Sequence, residues 1–525
     1  MPHSPFFRAL SRMVHIAREP GQRDHSLRLD GWSRRRFVRS AAVAGTASAA
    51  FPAAVAAWQG SAAPRIAIIG AGVAGLNAAY QLKKQGLTAQ VYEARDAVGG
   101  RMRSETRDGL VFELGGHFVN SDHTDMIDLV DELGLELVDE KSAIDEVEGV
   151  PATGYYLGDR MIPERELADL LRPIADQIGD DYDRLDEDWD AVAPELDALS
   201  VTDYLDLHAD KIPTTEVRAL LEGGIRSEYG VEPEESSAIQ LIYNLPRVRG
   251  KQVGTTGLND EQFSVAGGSA QVTDALAAEL EGQVMVNRSL QRIQHTDAGT
   301  YRLKFRSRSG KVTRTEADYV IVAMPFPPFR RVAVDADLPE EFTAFVSESE
   351  LGRNEKLIGR SFQRTWRTPM GFVGESWDDQ EFTVVWDGSM RQPEREDAAL
   401  TFFTGGAQAD KAVKGSSQSV GSRFLRQLTV AIPAFVWAVG KFTRTRWHRE
   451  KESGGSYASY RPGQLTRFAD YFWIEAAKPR RRQEVVFDGL FFIGEHLSDE
   501  YYGYMNGAAQ TGRLASESLV RMMAA

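Results

Sequence analysis

The chain has 525 residues, 42% of them hydrophobic, and carries a formal net charge of −15 at pH 7. This length predicts a globular protein with more than one domain, and the acidic charge argues against nucleic acid as a partner. The sequence contains no cysteine, which excludes disulfide bonds, thiolate catalysis and a cysteinyl link to a cofactor. The nine histidines show no metal-ligand spacing, so we expect no metal site.

The first 56 residues differ in composition from the rest of the chain. Residues 33–39 (SRRRFVR) match the twin-arginine export pattern, an alanine-rich run covers residues 40–53, and residues 54–56 (AVA) offer a small-residue cleavage site. This pattern predicts a signal peptide for residues 1–56, export by the twin-arginine machinery, and a periplasmic or secreted mature protein. The alternative is a basic tail or a membrane anchor, although the run is short and weakly apolar for a stable anchor.

The first motif that carries chemistry follows directly. An apolar strand at residues 64–69 leads into Gly70, Gly72 and Gly75, and residues 76–84 continue with helical spacing. In a dinucleotide-binding turn the first glycine permits the tight turn, the second lets backbone approach a pyrophosphate, and the third lets helix and strand pack closely. The pattern therefore predicts a dinucleotide site, the alternative being a glycine-rich turn in another α/β protein.

The next segments narrow the cofactor to a flavin. A second strand at residues 88–92 ends in Glu93, the position expected for the acid that binds an adenosine ribose. Residues 93–101 (EARDAVGGR) and 113–116 (ELGG) resemble the signature of the FAD-dependent amine oxidase family. The resemblance implies FAD as the cofactor, with further contacts from Arg95, Gly99, Gly100, Arg101, Gly115 and Gly116. Backbone donors with a fixed cation suit a diphosphate, and backbone without side chains suits a flat ring.

The C-terminal region resembles the same family. Residues 490–496 (LFFIGEH) are typical of a buried strand ending in a turn, and residues 501–512 (YYGYMNGAAQTG) lead into a helix. The resemblance implies that Gly494, Glu495 and Met505 contact the flavin. A helix beginning near Met505 would direct its positive end at the ring edge that gains negative charge on reduction.

The order of these segments predicts two interleaved domains. The predicted fold is α/β, with a Rossmann-like FAD-binding domain interleaved with a mixed α+β substrate domain. The FAD-binding domain is predicted at residues 64–142, 255–330 and 447–525, and the substrate domain at 143–254 and 331–446. We expect residues 143–254 to be largely helical, residues 284–286 and 301–305 to form a strand pair, and residues 319–324 to return to the nucleotide sheet. The resemblance places Leu290 at the adenine side of the cofactor.

Lys356 is the first candidate catalytic residue. Residues 351–356 (LGRNEK) are similar to the family segment whose lysine holds a water molecule against flavin N5. An ammonium group there would position the water and stabilise charge on the reduced ring. The alternative is a surface lysine in a charged loop.

A second group of candidates follows Trp447, which the resemblance assigns to the cofactor site. Ser456 stands nine positions later, where mitochondrial-type monoamine oxidases have the cysteine that bonds to the flavin, so we expect non-covalent FAD. Tyr457 and Tyr504 match the two walls of the family's aromatic cage. Facing aromatic rings would orient a neutral amine and attract its ammonium form. The alternative is that both tyrosines are ordinary core residues.

Taken with the resemblance, these residues predict oxidation of an amine or amino acid to an imine, with dioxygen reoxidising the flavin and yielding hydrogen peroxide. An L-amino-acid oxidase is an alternative, but the family arginine that clamps the substrate carboxylate is absent after Gly116, where His117 follows. Arg226 could take its place. A carotenoid-type desaturase, which shares only the N-terminal motif, and a non-catalytic flavoprotein are further alternatives. The sequence leaves the substrate and the oligomeric state open.

Overall fold

The computed structural model describes residues 63–145, 147–244, 247–254, 260–436 and 438–524. The predicted signal peptide lies outside these residues and stays a prediction. The division into two discontinuous domains also stays a prediction, although the strands of the two largest sheets come from different parts of the chain, as set out below.

Six described strands form the nucleotide sheet, and the glycine-rich turn follows the carboxyl end of one of its inner strands. In spatial order they are Val284–Met285, Ala89–Tyr92, Ile66–Ile69, Tyr319–Val322, Leu490–Phe492 and Val486–Phe487. The first five are parallel, and the last pairs antiparallel with its neighbour. The central strand Ile66–Ile69 is buried throughout, as its continuous apolar sequence predicts for a strand covered on both faces of the sheet.

Two helices pack together beside this sheet. Helix Val73–Lys84 follows the glycine-rich turn, and helix Met505–Ala524 ends the described chain. The backbones approach closely at Gly512, where an added Cβ would lie 2.4 Å from the carbonyl oxygen of Ala74. The Asn77 side-chain amide donates to the Ala509 carbonyl at 2.7 Å. The C-terminal segment is therefore held against the first motif, more than 400 residues earlier in the chain.

One predicted pairing is wrong. Strand Val284–Met285 pairs in parallel with Ala89–Tyr92 and extends the nucleotide sheet. Strand Tyr301–Arg306 pairs instead with Ser289–His295 and Val312–Ala317 in a separate antiparallel sheet. Both segments are apolar enough to form strands, so their sequences do not determine their pairing. Strand Val284–Met285 joins the nucleotide sheet because the preceding helix Ala270–Glu279 ends beside the outer strand of that sheet.

A second large sheet, the substrate sheet, combines strands from distant parts of the chain. In spatial order these are Val439–Arg444, Glu355–Ser361, Ala398–Thr404, Val384–Asp387, Glu375–Asp378, Thr153–Leu157 and Arg160–Met161. The predicted helical character of residues 143–254 is confirmed in helices Glu164–Glu187, Trp189–Asp197, Val201–Leu207, Thr215–Tyr229 and Ala238–Asn244. The strands within 153–161 were not predicted. Their side chains alternate poorly in polarity because the strand Thr153–Leu157 is buried over most of its length.

The remaining elements connect these two sheets. The other described helices are Thr124–Glu132, Glu140–Asp145, Phe326–Phe329, Glu340–Glu348, Gly406–Ala412, Ser417–Ala431 and Gln464–Arg467. A three-stranded sheet contains Phe118–Val119, Phe263–Val265 and Leu137–Asp139. The sheet of strand Tyr301–Arg306 has a fourth strand, Ala333–Asp335, which pairs in parallel with Ser289–His295. Two hairpins pair Ser104–Arg107 with Leu110–Glu113 and Arg247–Arg249 with Gln252–Gly254. No helix of the described residues is both long and apolar enough to cross a membrane.

Candidate active site

A long cavity starts at the carboxyl ends of the parallel strands, beside the glycine-rich turn. Most residues predicted to contact the cofactor line this cofactor cavity, namely Gly70, Gly72, Glu93, Arg95, Gly99, Gly100, Arg101, Gly115, Gly116, Leu290, Trp447, Gly494, Glu495 and Met505. Gly75 is the exception. Its position explains why, because an added Cβ there would lie 2.1 Å from the carbonyl oxygen of Gly70. Gly75 therefore serves the packing of helix against turn and faces away from the cavity.

The turn itself is open toward the cavity. Gly70 has φ +112°, and its added Cβ would lie 2.5 Å from the Ala323 carbonyl oxygen, so no larger residue fits. An added Cβ at Gly72 would contact only Gly100, whose Cα lies 3.9 Å away. The backbones of Gly72 and Gly100 thus face each other beside the N-terminus of helix Val73–Lys84. This cradle can accept a diphosphate on backbone N–H groups.

Glu93 is fixed at one end of the cofactor cavity. One carboxylate oxygen accepts from the backbone N–H of Ala71 at 2.9 Å, and the other accepts from that of Arg95 at 2.8 Å. These bonds tie the end of the second strand to the glycine-rich turn. They leave acceptor capacity on the carboxylate for ribose hydroxyls, since each carboxylate oxygen accepts more than one hydrogen bond.

Two arginines of the cavity are held by acidic residues. Arg95 pairs with Glu450 at 2.8 Å, and Arg101 pairs with Glu495 at 2.9 Å. Glu495 also accepts from the backbone N–H of Gly503 at 2.8 Å, which connects Arg101 to the segment before the last helix. Fixed guanidinium groups beside bare backbone suit a diphosphate, because Arg presents a planar fork of donors to phosphate oxygens.

At its other end the cofactor cavity has a wall of bare backbone at Gly115 and Gly116. An added Cβ at Gly115 would lie 1.8 Å from the Arg101 carbonyl oxygen, and one at Gly116 would lie 2.5 Å from the Met505 sulfur. Trp447 is buried and donates its indole N–H to the Leu114 carbonyl at 3.0 Å. Helix Met505–Ala524 begins here, as predicted. The wall and the helix start fit a flat ring that becomes negative on reduction, and the whole cavity fits an elongated flavin dinucleotide.

Lys356 lies where this wall ends. It is 6% exposed on strand Glu355–Ser361, so the alternative of a surface lysine is wrong. Its Nζ donates to the carbonyl oxygens of Gly115 at 2.7 Å and Glu113 at 3.3 Å, and it lies 5.4 Å from the centre of the Trp386 ring. Burial lowers the pKa of Lys356 to about 8, against the opposing charge of Glu113. The ammonium has three donors, so one N–H remains for a water molecule.

A second cavity, the substrate cavity, joins the first at Lys356. Both cavities are lined by Gly115, Gly116, Lys356, Phe403, Tyr457, Gly503, Tyr504 and Met505. The two tyrosines predicted to form the cage therefore lie at the junction, beyond which the walls are rich in aromatic residues. Tyr504 donates its hydroxyl hydrogen to Glu228 at 3.3 Å. The geometry brings Lys356, Tyr457 and Tyr504 together, as the sequence motifs required.

The substrate cavity offers no arginine to a carboxylate. Among the described residues that line it, Lys356 is the only lysine or arginine. Arg226, the proposed substitute, is absent from the lining and pairs with Glu232 at 2.8 Å and Glu222 at 3.4 Å. His117, which follows the glycine pair, is buried, and burial lowers its pKa to about 4. The imidazole is therefore neutral near pH 7 and provides no positive charge.

Sequence reasoning missed the acidic residues of this cavity. The lining includes Glu228, Glu261 and Glu375, and also Asp122, Asp499 and Glu500. Only Glu228 lay inside a segment that stood out, the glycine-bounded stretch at residues 223–230. The others carry no local motif and become neighbours only through the fold. No group of three or more metal-ligating side chains within the described ranges is arranged to hold a metal ion.

Comparison with known proteins places this geometry in a family. A family model for flavin-containing amine oxidoreductases matches residues 73–520. The putrescine oxidase of Kocuria rosea is 28% identical over 483 residues, which cover 87% of this chain and 95% of that protein. The flavin-containing amine oxidase B of Homo sapiens is 25% identical over 488 residues, which cover 87% of this chain and 86% of that protein.

Solved structures share the fold. Wild-type putrescine oxidase bound to putrescine has a TM-score of 0.71 at 24% identity, and covers 88% of this chain and 99% of its own. Cyclohexylamine oxidase from Brevibacterium oxydans IH-35A has a TM-score of 0.67 at 22% identity, and covers 88% of this chain and 100% of its own. The predicted interleaved α/β fold is confirmed by these similarities. The chain belongs to the flavin-containing amine oxidoreductase family, and its cofactor is FAD.

Proposed function

We propose that this protein oxidises a small amine that bears no α-carboxylate, producing an imine that hydrolyses to an aldehyde or ketone. The observation that carries this proposal is the junction of the two cavities at Lys356, Tyr457 and Tyr504. The cofactor cavity would hold FAD, which would supply the acceptor for a hydride from the carbon next to the nitrogen and the route for its two electrons to dioxygen, giving hydrogen peroxide. The residues of the chain bind, orient and protect the reacting groups.

Tyr457 and Tyr504 would hold the amine between their ring faces. The incoming ammonium is attracted by the aromatic faces, and the neutral amine is then oriented with its carbon toward the cofactor. Burial raises the pKa of Tyr457, and Glu228 and Glu261 raise it further, so this phenol stays neutral. A neutral aromatic wall orients the substrate without competing for its proton.

Lys356 would hold a water molecule with its remaining N–H. Because two N–H groups are bound to backbone carbonyls, the ammonium has a fixed direction. A fixed cation beside the reacting ring stabilises negative charge that develops there. Glu113 helps to keep this lysine protonated, since its carboxylate raises the pKa that burial lowers.

The cavity lining favours an amine over an L-amino acid. Burial of a carboxylate without a cationic partner costs several kcal/mol, roughly the penalty for a desolvated ion. The relatives named for putrescine and cyclohexylamine support this substrate class, because neither amine carries a carboxylate. The acidic residues of the cavity also disfavour the desaturase alternative, which calls for an apolar mouth.

The flavin is proposed to be non-covalently bound. Ser456 lines the cofactor cavity where a linking cysteine would stand, and the sequence contains no cysteine elsewhere. A hydroxyl group of this kind offers no thioether link.

The test is anaerobic reduction of the bound flavin by matched amines and amino acids. An amine should bleach the flavin absorbance with a higher second-order rate constant than the amino acid from which it derives by decarboxylation. A faster reaction with the amino acid would make this protein an L-amino-acid oxidase. If neither compound class reduces the flavin, the non-catalytic alternative holds.

We also propose that the protein is exported by the twin-arginine machinery. The support is the pattern at residues 33–39, the alanine-rich run after it and the small residues 54–56. Replacing Arg34 and Arg35 by lysine should retain the protein in the cytoplasm, while replacing Arg12 and Arg18 should leave its location unchanged. Cell fractionation of both double variants decides between export and a cytoplasmic location.

A further inference from the structure

The proposed oxidation requires a substrate nitrogen that has lost a proton. An alkyl amine has a pKa of about 10.4, like the lysine side chain, so near pH 7 it is present as an ammonium. An ammonium nitrogen has no lone pair, and a hydride leaves the neighbouring carbon readily only when the nitrogen can share one. A group of the substrate cavity that accepts the proton would therefore let the abundant ammonium form of the substrate react.

Most polar groups of the cavity are unsuited to this task. Lys356 has a pKa of about 8 and is itself a cation near pH 7, and burial lowers the pKa of His117 to about 4, which makes it a weak base. Burial raises the pKa of Glu261 to about 8, so this carboxyl already carries a proton near pH 7. Glu375 accepts from the indole N–H of Trp377 on its own strand at 3.0 Å. An acceptor needs a pKa near the working pH and a position beside the cage.

Glu228 has the required position. It is the last residue but one of helix Thr215–Tyr229, and it lines the substrate cavity. Its carboxylate accepts from the Tyr504 hydroxyl at 3.3 Å. Of the charges that act on the Tyr457 phenol, that of Glu228 has the largest effect. The carboxylate therefore lies near both walls of the cage, where the substrate nitrogen is expected.

The carboxylate of Glu228 is also free of a competing cation. Within the described part of the chain no lysine or arginine pairs with it, whereas Glu222 on the same helix pairs with Arg218 at 2.9 Å and with Arg226 at 3.4 Å. The titratable groups around Glu228 are Tyr504 and Tyr457 of the cage, Tyr229 on its own helix, and Glu261 and Glu375 from other segments.

The surroundings of Glu228 also give it a suitable proton affinity. Burial raises its pKa to about 7, the hydrogen bond from Tyr504 opposes this rise, and the charge of Glu375 adds to it. A carboxyl group of this kind both takes up and releases a proton near neutral pH.

We propose that Glu228 is the catalytic residue that accepts the proton of the substrate ammonium. This inference rests on the proposed amine oxidation and supplies its proton acceptor. One N–H bond of the ammonium breaks, its electron pair stays on nitrogen as the lone pair, and the proton bonds to a carboxylate oxygen of Glu228. The neutral amine then lies between the cage rings with its carbon ready to lose a hydride. Glu228 returns the proton to water after the product has left.

The experiment is anaerobic stopped-flow reduction of the FAD-loaded enzyme by butylamine and by benzylamine, in the wild type and in Glu228→Gln, from about pH 6 to about pH 10. Glutamine keeps the side-chain volume and an acceptor for the Tyr504 hydroxyl, but it takes no proton. Near pH 7 we expect the limiting reduction rate to fall about 100-fold, as for the loss of one proton-transfer group. The ratio of variant to wild type should approach one at high pH, where the amine itself becomes neutral.

The limiting rate separates proton transfer from other roles of the carboxylate. A carboxylate that only attracts the ammonium changes the dissociation constant and leaves the limiting rate unchanged. A structural defect lowers the rate by the same factor at every pH. Either result would overturn the proposal. Because the ratio is taken at each pH, loss of the Lys356 ammonium affects both proteins alike.

Glu222→Gln is the matched control. It removes the same charge from the same helix, but Glu222 is not among the described residues that line the cavity. Its limiting rate and pH dependence should equal those of the wild type. A loss equal to that of Glu228→Gln would assign the effect to the charge of the helix and overturn the role of Glu228.

Tyr504→Phe gives a second measurement that does not depend on the glutamine variant. It keeps the ring and removes the hydroxyl whose hydrogen bond lowers the Glu228 pKa. Since only the carboxylate form accepts a proton, the second-order rate constant of the wild type should increase as the pH rises through about 7. In Tyr504→Phe this increase should move to higher pH. An unchanged midpoint would assign it to another carboxyl, such as Glu500, whose pKa burial also raises to about 7, and would overturn the proposal.

The outcomes distinguish the proton acceptor from the function. If neither amine reduces the wild-type flavin at any pH, amine oxidation is refuted together with its acceptor. If an amine reduces the wild-type flavin and Glu228→Gln follows the same pH profile at the same rate, only the role of Glu228 is refuted.

Discussion

Replacement of Lys356 by methionine tests the catalytic proposal most directly. Methionine keeps the length and the burial of the side chain but removes the ammonium, including the N–H that remains for water. A hydrogen bond to a charged group contributes about 1.5–3 kcal/mol, and a tenfold change in rate corresponds to about 1.4 kcal/mol. We therefore expect Lys356→Met to slow flavin reduction or reoxidation about 10- to 150-fold.

The pH dependence of the rate distinguishes a catalytic role of Lys356 from a structural one. Burial lowers the pKa of Lys356 to about 8, so the ammonium is present below that pH and is lost as the pH rises through it. The step that uses the ammonium should therefore slow above pH 8 in the wild type. The variant should lack this decline because it has no ammonium to lose, while Glu261, whose pKa burial raises to about 8, titrates alike in both proteins.

The assay is anaerobic stopped-flow reduction followed by reoxidation with dioxygen, together with a measurement of bound FAD. Lys441→Met is the control, since Lys441 is exposed on the neighbouring strand Val439–Arg444. Bound FAD should be retained in both variants. Unchanged half-reactions and an unchanged pH profile in Lys356→Met would refute the reasoning and leave Lys356 as a structural tie to the loop at Gly115.

Three further predictions concern the cofactor and the cage. Acid precipitation should release FAD into a yellow supernatant because Ser456 cannot form a thioether, whereas flavin retained in the pellet would reveal another covalent link. Gly75→Ala should lower the melting temperature and the FAD content, because its Cβ would lie 2.1 Å from a backbone oxygen. Gly224→Ala, also helical but with no atom within 4 Å of its Cβ, should be neutral or stabilising; equal losses would show that the close approach is unimportant. Tyr457→Phe should keep most of the reduction rate, and Tyr457→Leu should lose about tenfold with the ring face; equal rates in the two variants would place Tyr457 outside the cage.

The sequence alone predicted the parts of this protein that depend on short segments. Gly70 and Gly75 leave no room for a Cβ, because the turn is tight and the helix packs closely against it, whereas Gly72 keeps side chains away from the cofactor cavity. Gly115 also leaves no room for a Cβ, because the Arg101 carbonyl oxygen lies close to it, while Gly116 is crowded by the distant residue Met505. These motifs, together with the family resemblance, were sufficient to predict the α/β fold, FAD and amine oxidation.

Other features were decided only by tertiary structure. Lys356 stands in a charged sequence that is equally typical of a surface loop, and its burial follows from the position of its strand inside the substrate sheet. Strand Val284–Met285 joins the nucleotide sheet because the preceding helix Ala270–Glu279 ends beside strand Ala89–Tyr92. The carboxylates Glu228, Glu261 and Glu375 share no local pattern, since a cavity brings together residues that periodicity and spacing never relate. The lining of the substrate cavity depends on that convergence of distant side chains, whereas each cofactor motif depends on backbone geometry that is encoded within a few residues.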